Sequence, residues 1–444
     1  MMKMFPFVLM ALSLTHWLAI EAVSQKGDSS KNWHHWRGPN SNGVSPTAQP
    51  PIEWSETKNV RWKTDLPGRG HSTPIVWENQ VFVTAAEPVG EKFKPRYSGR
   101  PGAHDNLPVS QKHQFLVLAL DRKTGKMLWK KKVNELVPRE GAHISASLAS
   151  ASCTTDGKAL IAHFGSFGTY ALDFQGNILW KKQLGEMHSK HGHGEGASPV
   201  MLGDRLFIVW DHEGQSFVAC FAIKDGKELW RKKRNEVTSW SSPIVIQPEN
   251  GKPQLVVNGT ERIRAYDTQD GTVIWECAGL SANIVASPVF KSGVVVAGSS
   301  YEKRAILGIQ IDGAKGDVTG SKNVLWKSQR LTPYVPSLLL YEEAVYYLRH
   351  YQGIVSRIDF KKGEELSPPV RLTGFREIYA SPVAADGRIY ITDREGTTVV
   401  LSSKDWPRVL SANQIEGRVN GSLALAGKQI FLRSEKALYC IEQQ

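Results

Sequence analysis

The sequence predicts an all-β protein, an eight-bladed β-propeller closed by an N-terminal strand, and a repeat through the chain indicates this fold. The repeated unit reads Ser-Pro-Ile/Val, then an apolar strand, then Ala-x-Asp-x-x-x-Gly-x-x-x-Trp. The tryptophans that end the clearest units follow one another at steps of 51, 50, 45 and 51 residues, and they are Trp129, Trp180, Trp230, Trp275 and Trp326. A period of about 40–50 residues with four short strands per unit is typical of a propeller blade.

Each unit is interpreted as four strands, A to D, from the channel outward. Strand A follows the Ser-Pro pair, because proline lacks an N–H and suits the first residue of a strand. Strands B and C are apolar runs such as 206–210 and 217–223. The Asp and Gly of the motif predict the C–D turn, where the carboxylate binds nearby amides and glycine takes a positive φ. The tryptophan of strand D is expected to pack between adjacent blades.

The last unit lacks one strand, and the N-terminal region has one to spare. Eight units are counted, and the eighth opens at Gly421 and stops at Ile441 without a strand D. The segment 60–64, Val-Arg-Trp-Lys-Thr, matches a strand D with its tryptophan. We therefore expect this strand to complete the last blade, which would close the ring and remove an open sheet edge.

The predicted domain organisation begins with a signal peptide at residues 1–24. An apolar run at 5–20 follows Lys3, and Ala22-Val23-Ser24 supplies the small residues of a cleavage site. The alternative is an uncleaved anchor, although 16 residues that include Thr15 and His16 are short for a span of about 20 residues. An N-terminal arm at 25–59 and the propeller at 60–443 follow. Residues 86–113 form a long insertion in blade 1, which is expected to be a lid or binding loop.

Composition restricts the class of protein. Hydrophobic residues make up 41% and charged residues 22%, which is typical of a globular chain and excludes disordered and membrane-embedded ones. The net charge is +12, but export to the periplasm or the medium makes nucleic acid an unexpected partner. The four cysteines lie far apart in apolar runs and are interpreted as buried thiols.

The repeat resembles that of the PQQ-like (pyrroloquinoline quinone) propeller family over about residues 54–443. The stretch from Ala119 to Trp129 carries the signature most clearly, and Trp36-Arg37-Gly38-Pro39 resembles the N-terminal arm of a secreted branch found in planctomycete-type bacteria. The family includes quinoprotein dehydrogenases and BamB, a non-catalytic scaffold of outer-membrane barrel assembly. The resemblance implies for the dehydrogenases a disulfide between adjacent cysteines, a Ca²⁺ held by Glu and Asn, and an Asp base. No two cysteines here are adjacent, so we do not expect PQQ as a cofactor.

The topology of a blade places ten histidines on one face. The D–A and B–C loops share a face, and the D–A loops surround the channel mouth. Imidazoles and carboxylates are the usual ligands of Zn²⁺ and related divalent ions. The predicted metal site in blades 2–3 consists of His188, His191, His193, Glu195, Asp211 and His212. The alternative is a solvated polar loop.

Other residues near the mouth are candidates for binding an anionic or sugar-like ligand, because aromatic, amide, imidazole and guanidinium groups suit a concave polar site. They are His71, His143, His163, Trp240, Asn258, Arg376, Arg418 and Asn420. Salt bridges between neighbouring blades are the alternative role for the charged ones.

The sequence thus predicts an exported, monomeric binding or scaffold module, periplasmic or secreted. Its His-rich face would contact a protein or polysaccharide partner in the cell envelope. The alternative is an enzyme that uses the same face, either a quinoprotein-type dehydrogenase or a metal-assisted carbohydrate-active enzyme. A divalent metal is the cofactor that the histidines suggest, and catalysis itself stays open.

Overall fold

A computed structural model describes residues 29–330 and 332–444, and the predicted signal peptide lies outside them. The structure has eight blades, and each is an antiparallel sheet whose four strands are hydrogen-bonded in the order A to D. This is the predicted eight-bladed propeller, so the fold class is confirmed. The A strands of adjacent blades contact one another and therefore surround the channel. Within the described residues, no helix has the length and apolar character needed to cross a membrane.

The strand bounds follow the repeat. Blades 1 to 4 have, in the order A to D, the strands Ile75–Trp77, Gln80–Val89, Lys112–Asp121, Met127–Leu136; Thr154–Thr155, Leu160–His163, Thr169–Leu172, Ile178–Lys182; Val200–Leu202, Arg205–Trp210, Phe217–Ala222, Glu228–Lys233; and Ile244–Ile246, Gln254–Asn258, Arg262–Asp267, Val273–Ala278. Blades 5 to 8 have Val289–Lys291, Val294–Ser299, Ala305–Gln310, Val324–Ser328; Leu339–Tyr341, Ala344–Leu348, Ile354–Asp359, Val370–Arg371; Val383–Ala385, Arg388–Thr392, Thr397–Ser402, Val409–Gln414; and Ala424–Ala426, Gln429–Arg433, Ala437–Glu442, Val60–Asp65.

A few short strands and 3₁₀ turns lie outside the four-stranded pattern of the blades. Gly316–Asp317 adds a fifth, parallel strand to blade 4. Asn106–Leu107, in the insertion of blade 1, pairs with Ala142–His143 in the loop that leads to blade 2. Single 3₁₀ turns are Ser29–Lys31, Gly165–Phe167 and Lys190–Gly192.

Strand D of the last blade comes from the N-terminus. Val60–Asp65 runs antiparallel to Ala437–Glu442, with Thr64 opposite Leu438. Its Trp62 is buried and its ring centroid lies 6.0 Å from that of Phe431. The ring of blades is therefore closed by two segments from opposite ends of the sequence.

The glycine and the tryptophan of the motif pack against each other across blades. A Cβ at Gly176, whose φ is +84°, would lie 2.8 Å from Cδ2 of Trp129 in the preceding blade. Only glycine fits both this backbone conformation and this contact. Five of these tryptophans also donate their indole N–H to a carbonyl of the next blade, at 2.7–3.3 Å; the pairs are Trp62–Arg122, Trp129–Phe174, Trp180–Ile223, Trp230–Thr268 and Trp326–Phe360. Trp275 instead donates to the side-chain oxygen of Gln254 in its own blade, at 3.0 Å.

A belt of hydroxyl groups surrounds the channel and explains the serine of the Ser-Pro pair. The Oγ of Ser242 accepts the backbone N–H of Ser198 at 2.8 Å, and Ser287 Oγ accepts the N–H of Ser242 at 3.0 Å. The same bond recurs from blade 1 to blade 8, and in each case the backbone N–H of one residue donates to the Oγ of the next. The residues are, in order, Thr73, Ser152, Ser198, Ser242, Ser287, Ser337, Ser381 and Ser422. The belt thus satisfies backbone amides that lie two residues before the innermost strands.

Removal of one link should destabilise the ring. Ser242→Ala leaves the buried N–H of Ser198 without its acceptor, so we expect the free energy of unfolding to fall by about 1–3 kcal/mol. Ser241 offers a matched control, because its buried Oγ has no hydrogen-bond partner among the described residues. Urea denaturation that gives equal stabilities for the Ser242→Ala and Ser241→Ala variants would contradict a role for the belt.

The N-terminal arm crosses the propeller at the channel. The backbone of Trp33 exchanges two hydrogen bonds with Val76 in the innermost strand of blade 1. The buried guanidinium of Arg37 donates to the carbonyl oxygens of Leu338 and Pro382, at 2.7 and 2.8 Å. The arm therefore ties blades 1, 6 and 7 together and places Trp36 beneath the channel mouth.

Candidate ligand-binding site at the channel mouth

The D–A and B–C loops enclose a cavity of about 570 Å³ at one end of the channel. Loops from all eight blades contribute to its wall, and Trp36 of the arm contributes as well. Histidines from the loops of blades 1 and 2 occupy one side, and tyrosines from the loops of blades 5 to 7 occupy another. The site is therefore a recessed, polar and aromatic pocket, a form typical of small-ligand sites.

One side of the cavity is a group of four side chains, His104, Asp105, His143 and His193, which we call the histidine cluster. The ring centroid of His143 lies 4.9 Å from that of His193 and 6.4 Å from that of His104. Ligand atoms of His104, Asp105 and His143 all lie within 4.8 Å of one another. Burial lowers the pKa of His143 and lowers that of His193 to about 4, so both are neutral at pH 7.

The opposite side is a group of four tyrosines, Tyr301, Tyr334, Tyr351 and Tyr379, which we call the tyrosine cluster. Tyr301 stacks on Tyr334 with centroids 5.7 Å apart, and Tyr351 stacks on Tyr379 at 5.9 Å. His350 lies 4.5 Å from both Tyr334 and Tyr351 and joins the two stacks. Burial raises the pKa of Tyr334 to about 12, so its hydroxyl keeps its proton at neutral pH and can donate a hydrogen bond.

Charged and amide groups complete the wall. The guanidinium of Arg394 pairs with the carboxylate of Glu377 and lies 5.7 Å from the centroid of Tyr379. Trp240 donates its indole N–H to the carbonyl of Gly194 at 2.7 Å, which fixes its ring beside His193. The buried polar atoms of the wall that have no hydrogen-bond partner among residues 29–330 and 332–444 include Nε of Arg394 and Oδ1 of Asn420. Such atoms are rare in folded proteins.

The predicted binding residues divide into two groups. His71, His143, Trp240 and Asn420 line the cavity. The other four lie elsewhere. His163 is buried against Thr169 at 2.8 Å and lines a smaller neighbouring cavity of about 30 Å³. Asn258 is buried and donates to the carbonyl of Ala286, while Arg376 and Arg418 are exposed outside this wall.

The predicted metal residues fall into separate groups. The ring of His193, which belongs to the histidine cluster, lies 5.2 Å from that of His191, whose Nδ1 lies 2.6 Å from the carbonyl oxygen of Pro101. His188 stacks on His212 at 6.4 Å, and its Nδ1 lies 2.6 Å from Nη2 of Arg100. The structure therefore does not gather the six predicted side chains around one point.

The two predicted carboxylates of this set already have partners. Asp211 forms a fully buried ion pair with Arg234, with Oδ1 2.7 Å from Nε and Oδ2 3.0 Å from Nη2. Glu195 accepts hydrogen bonds at 2.6 Å from both the backbone and the hydroxyl of Ser166. Burial raises the pKa of the Glu195 carboxyl to about 7.

Several wall residues were not predicted as site residues, although a signal for them existed. The ten histidines that blade topology assigns to one face include His104, which is not in the candidate set, and Asp105 follows it. The four tyrosines occupy D–A and B–C loops, so the topological rule that was applied to histidines would also have selected them. Trp36 had no such signal, because an arm outside the repeat has no fixed place in a blade.

Comparisons with known proteins agree with this architecture. The family model described as outer membrane protein assembly factor BamB matches residues 51–232 and 214–444. No curated protein sequence matches the chain.

Among solved structures, BamB from Moraxella catarrhalis is similar with a TM-score of 0.53 and 14% identity, over 80% of this chain and 98% of that one. A quinohemoprotein alcohol dehydrogenase from Pseudomonas putida HK5 is similar with a TM-score of 0.57 and 10% identity, over 93% of this chain and 80% of that one. Sqt1 from Saccharomyces cerevisiae is similar with a TM-score of 0.53 and 13% identity, over 84% of this chain and 99% of that one. At these identities the likeness shows the fold alone.

Proposed function

The chain belongs to the PQQ-like propeller family described by outer membrane protein assembly factor BamB, and from this premise we propose that it is an exported binding module whose channel-mouth cavity holds a carbohydrate. The signal peptide predicted at 1–24 supports a periplasmic or secreted location. The partner would be a polysaccharide of the cell envelope, and the protein would act as a monomer.

The observation that carries this proposal is the composition of the cavity wall. Aromatic rings line several sides of the cavity of about 570 Å³. The apolar C–H face of a sugar ring packs well on such a surface, because tyrosine and tryptophan combine apolar area with a polar edge. The two tyrosine stacks and Trp240 supply these faces.

The polar atoms of the same wall suit sugar hydroxyl groups. Nε of Arg394 can donate a hydrogen bond and Oδ1 of Asn420 can accept one, and both are buried without a partner in the part of the chain that the structure describes. A hydroxyl group both donates and accepts, so it can satisfy either atom. A purely apolar ligand would leave both atoms unsatisfied, as they are without a ligand, whereas a hydroxyl group that bonds to one of them would remove a penalty of about 1–3 kcal/mol.

Loss of the aromatic faces should weaken binding selectively. We expect the double variant Tyr334→Ala, Tyr351→Ala to lose about 5- to 150-fold in affinity, since each aromatic contact contributes about 0.5–1.5 kcal/mol. The measurement is a screen of envelope oligosaccharides followed by isothermal titration calorimetry of those that bind. Tyr97→Ala is the matched control, because Tyr97 is 73% exposed and lies outside the cavity wall.

Two outcomes would contradict the proposal. One is equal affinity of the wild type and the double variant for every oligosaccharide that binds. The other is capture of an envelope protein on this face with no oligosaccharide bound, which would assign the face to a protein partner instead.

The cysteines do not fit a quinone held as in the related dehydrogenases. The chain has four cysteines, Cys153, Cys220, Cys277 and Cys440, and all are buried with free thiols within the blades and outside the cavity wall. A disulfide between adjacent cysteines, which the family resemblance implies for quinone binding, has no counterpart among them. We therefore derive no quinone-dependent step.

A second candidate function is that of a metal-assisted carbohydrate-active enzyme, and one carboxyl group favours it. Glu195 lines the same cavity as the histidine cluster, and its pKa of about 7 suits a general acid or base at neutral pH. Release of new reducing ends from a bound oligosaccharide would identify an enzyme. Binding without any such release would identify a binding module.

A further inference from the structure

We propose that the histidine cluster binds one divalent transition-metal ion, with Zn²⁺ as the best fit, through the imidazoles of His104, His143 and His193 and the carboxylate of Asp105. This goes beyond the proposed carbohydrate binding and does not depend on it. The ligand atoms of His104, Asp105 and His143 already lie within 4.8 Å of one another. The ring of His193 lies 4.9 Å from that of His143 and 5.7 Å from that of His104.

Main-chain hydrogen bonds hold the three loops that carry these side chains. The N–H of Ile144 donates to the carbonyl of Asp105 at 2.8 Å, and the N–H of His143 donates to the carbonyl of His193 at 3.1 Å. Asn106 and His143 are opposite each other in a two-stranded ladder. The insertion of blade 1 is therefore fastened to the loops before blades 2 and 3, and it brings a His-Asp pair to two further imidazoles.

Asn106 prepares His193 for coordination. Its amide nitrogen donates to the carbonyls of His191 and Gly192, at 2.8 and 3.1 Å, which leaves its oxygen facing His193. That oxygen lies 2.8 Å from Nδ1 of His193 and accepts its proton. Nε2 of His193 then carries the free lone pair. A hydrogen bond of this kind to the second ring nitrogen is a regular feature of metal-binding histidines.

His143 has a comparable support. Nδ1 of His143 lies 2.7 Å from Oγ of Ser145, which can accept its proton and leave Nε2 as the ligand atom. The backbone N–H of Ser145 also donates to this Nδ1 at 3.2 Å, which favours a ring proton on Nε2, so metal binding requires the ring to change to the tautomer in which Nδ1 donates to the hydroxyl.

A small movement would bring the ligands to coordination distance. Zn–N bonds are about 2.0–2.1 Å long, so tetrahedral ligand atoms are about 3.3 Å apart, closer than the 4.8 Å limit of this group. The side chains of His104 and Asp105 are 67% and 66% exposed, so they can rotate inward without disturbing the core. Three imidazoles and one carboxylate favour Zn²⁺ or a similar ion over Ca²⁺ and Mg²⁺, which prefer all-oxygen sites.

Titration of the chelator-treated, full-length protein with ZnCl₂ tests the site. We expect one saturable Zn²⁺ per chain by isothermal titration calorimetry, and loss of it in the double variant His143→Ala, His193→Ala. His188→Ala is the matched control, since His188 is another exposed histidine of the same face outside the cluster. Circular dichroism melting without metal checks that each variant folds.

A second measurement examines Asn106 as a positioning residue. We expect Asn106→Ala to weaken Zn²⁺ binding about 10–100-fold and to change the visible spectrum of the Co²⁺-substituted protein. A wild-type protein without saturable Zn²⁺ binding would overturn the proposal, as would a double variant that binds as the wild type does. Because the titration contains no carbohydrate, neither result bears on the proposed carbohydrate function.

Discussion

A chain that begins at residue 67, and so lacks the arm and the closing strand, should aggregate or melt far below the full-length protein. The deletion exposes the hydrogen-bonding edge of strand Ala437–Glu442, which Val60–Asp65 covers in the structure. An unpaired apolar edge is a template for association with other chains. The deletion also removes the buried rings of Trp33, Trp54 and Trp62 from the core, and the loss of one such side chain costs about 3–5 kcal/mol.

Light scattering and thermal melting measure this effect. The control is a chain that begins at residue 29, which keeps the arm and the closing strand and should melt like the full-length protein. A chain from residue 67 that stays monomeric with an unchanged melting temperature would show that closure by the N-terminal strand is dispensable.

The second large effect is expected from Asp211→Ala. The side chains of Asp211 and Arg234 are fully buried, and Ser239 donates a further hydrogen bond to Asp211 at 2.8 Å. Removal of the carboxylate leaves the Arg234 charge buried without its partner, so the free energy of unfolding should fall by about 3–5 kcal/mol. Urea denaturation measures this loss.

The exposed aspartate Asp204 supplies the control for this substitution. It is 91% exposed and lies 3.9 Å from Nε of Arg205, so Asp204→Ala should change stability by less than about 0.5 kcal/mol. The loss in Asp211→Ala should be the same with and without a chelator, because the carboxylate serves an ion pair. If the loss of unfolding free energy appeared only without the chelator, Asp211 would be a metal ligand and the ion-pair account would be wrong.

The repeat made the propeller predictable, because its spacing depends on contacts that recur in each blade. The step from Trp129 to Trp180 follows from the packing of each tryptophan on a glycine of the next blade, Gly176 in the case of Trp129. The serine belt is not predictable in the same way, because the Ser-Pro pair indicates where a strand starts and not which hydroxyl accepts the amide of the neighbouring blade.

The site was less predictable, because its geometry depends on loops that do not repeat. The sequence places His188 and His193 in one loop, yet His188 stacks on His212 and His193 packs against His143. The partner of Asp211, Arg234, lies 23 residues away after two further strands, and no local sequence pattern indicates the pair. Side-chain packing therefore decides which of the loop histidines meet, and the sequence pattern does not indicate it.

The most direct test of the proposed function is a crystal structure of the protein with an oligosaccharide selected in the binding screen. We predict that a sugar ring lies on the faces of Tyr334 and Tyr351, within about 4 Å of their ring atoms, with a hydroxyl group bonded to Nε of Arg394 or Oδ1 of Asn420. Density for the sugar on the opposite face, among the A–B and C–D turns, or on the outer strands of the blades would contradict it.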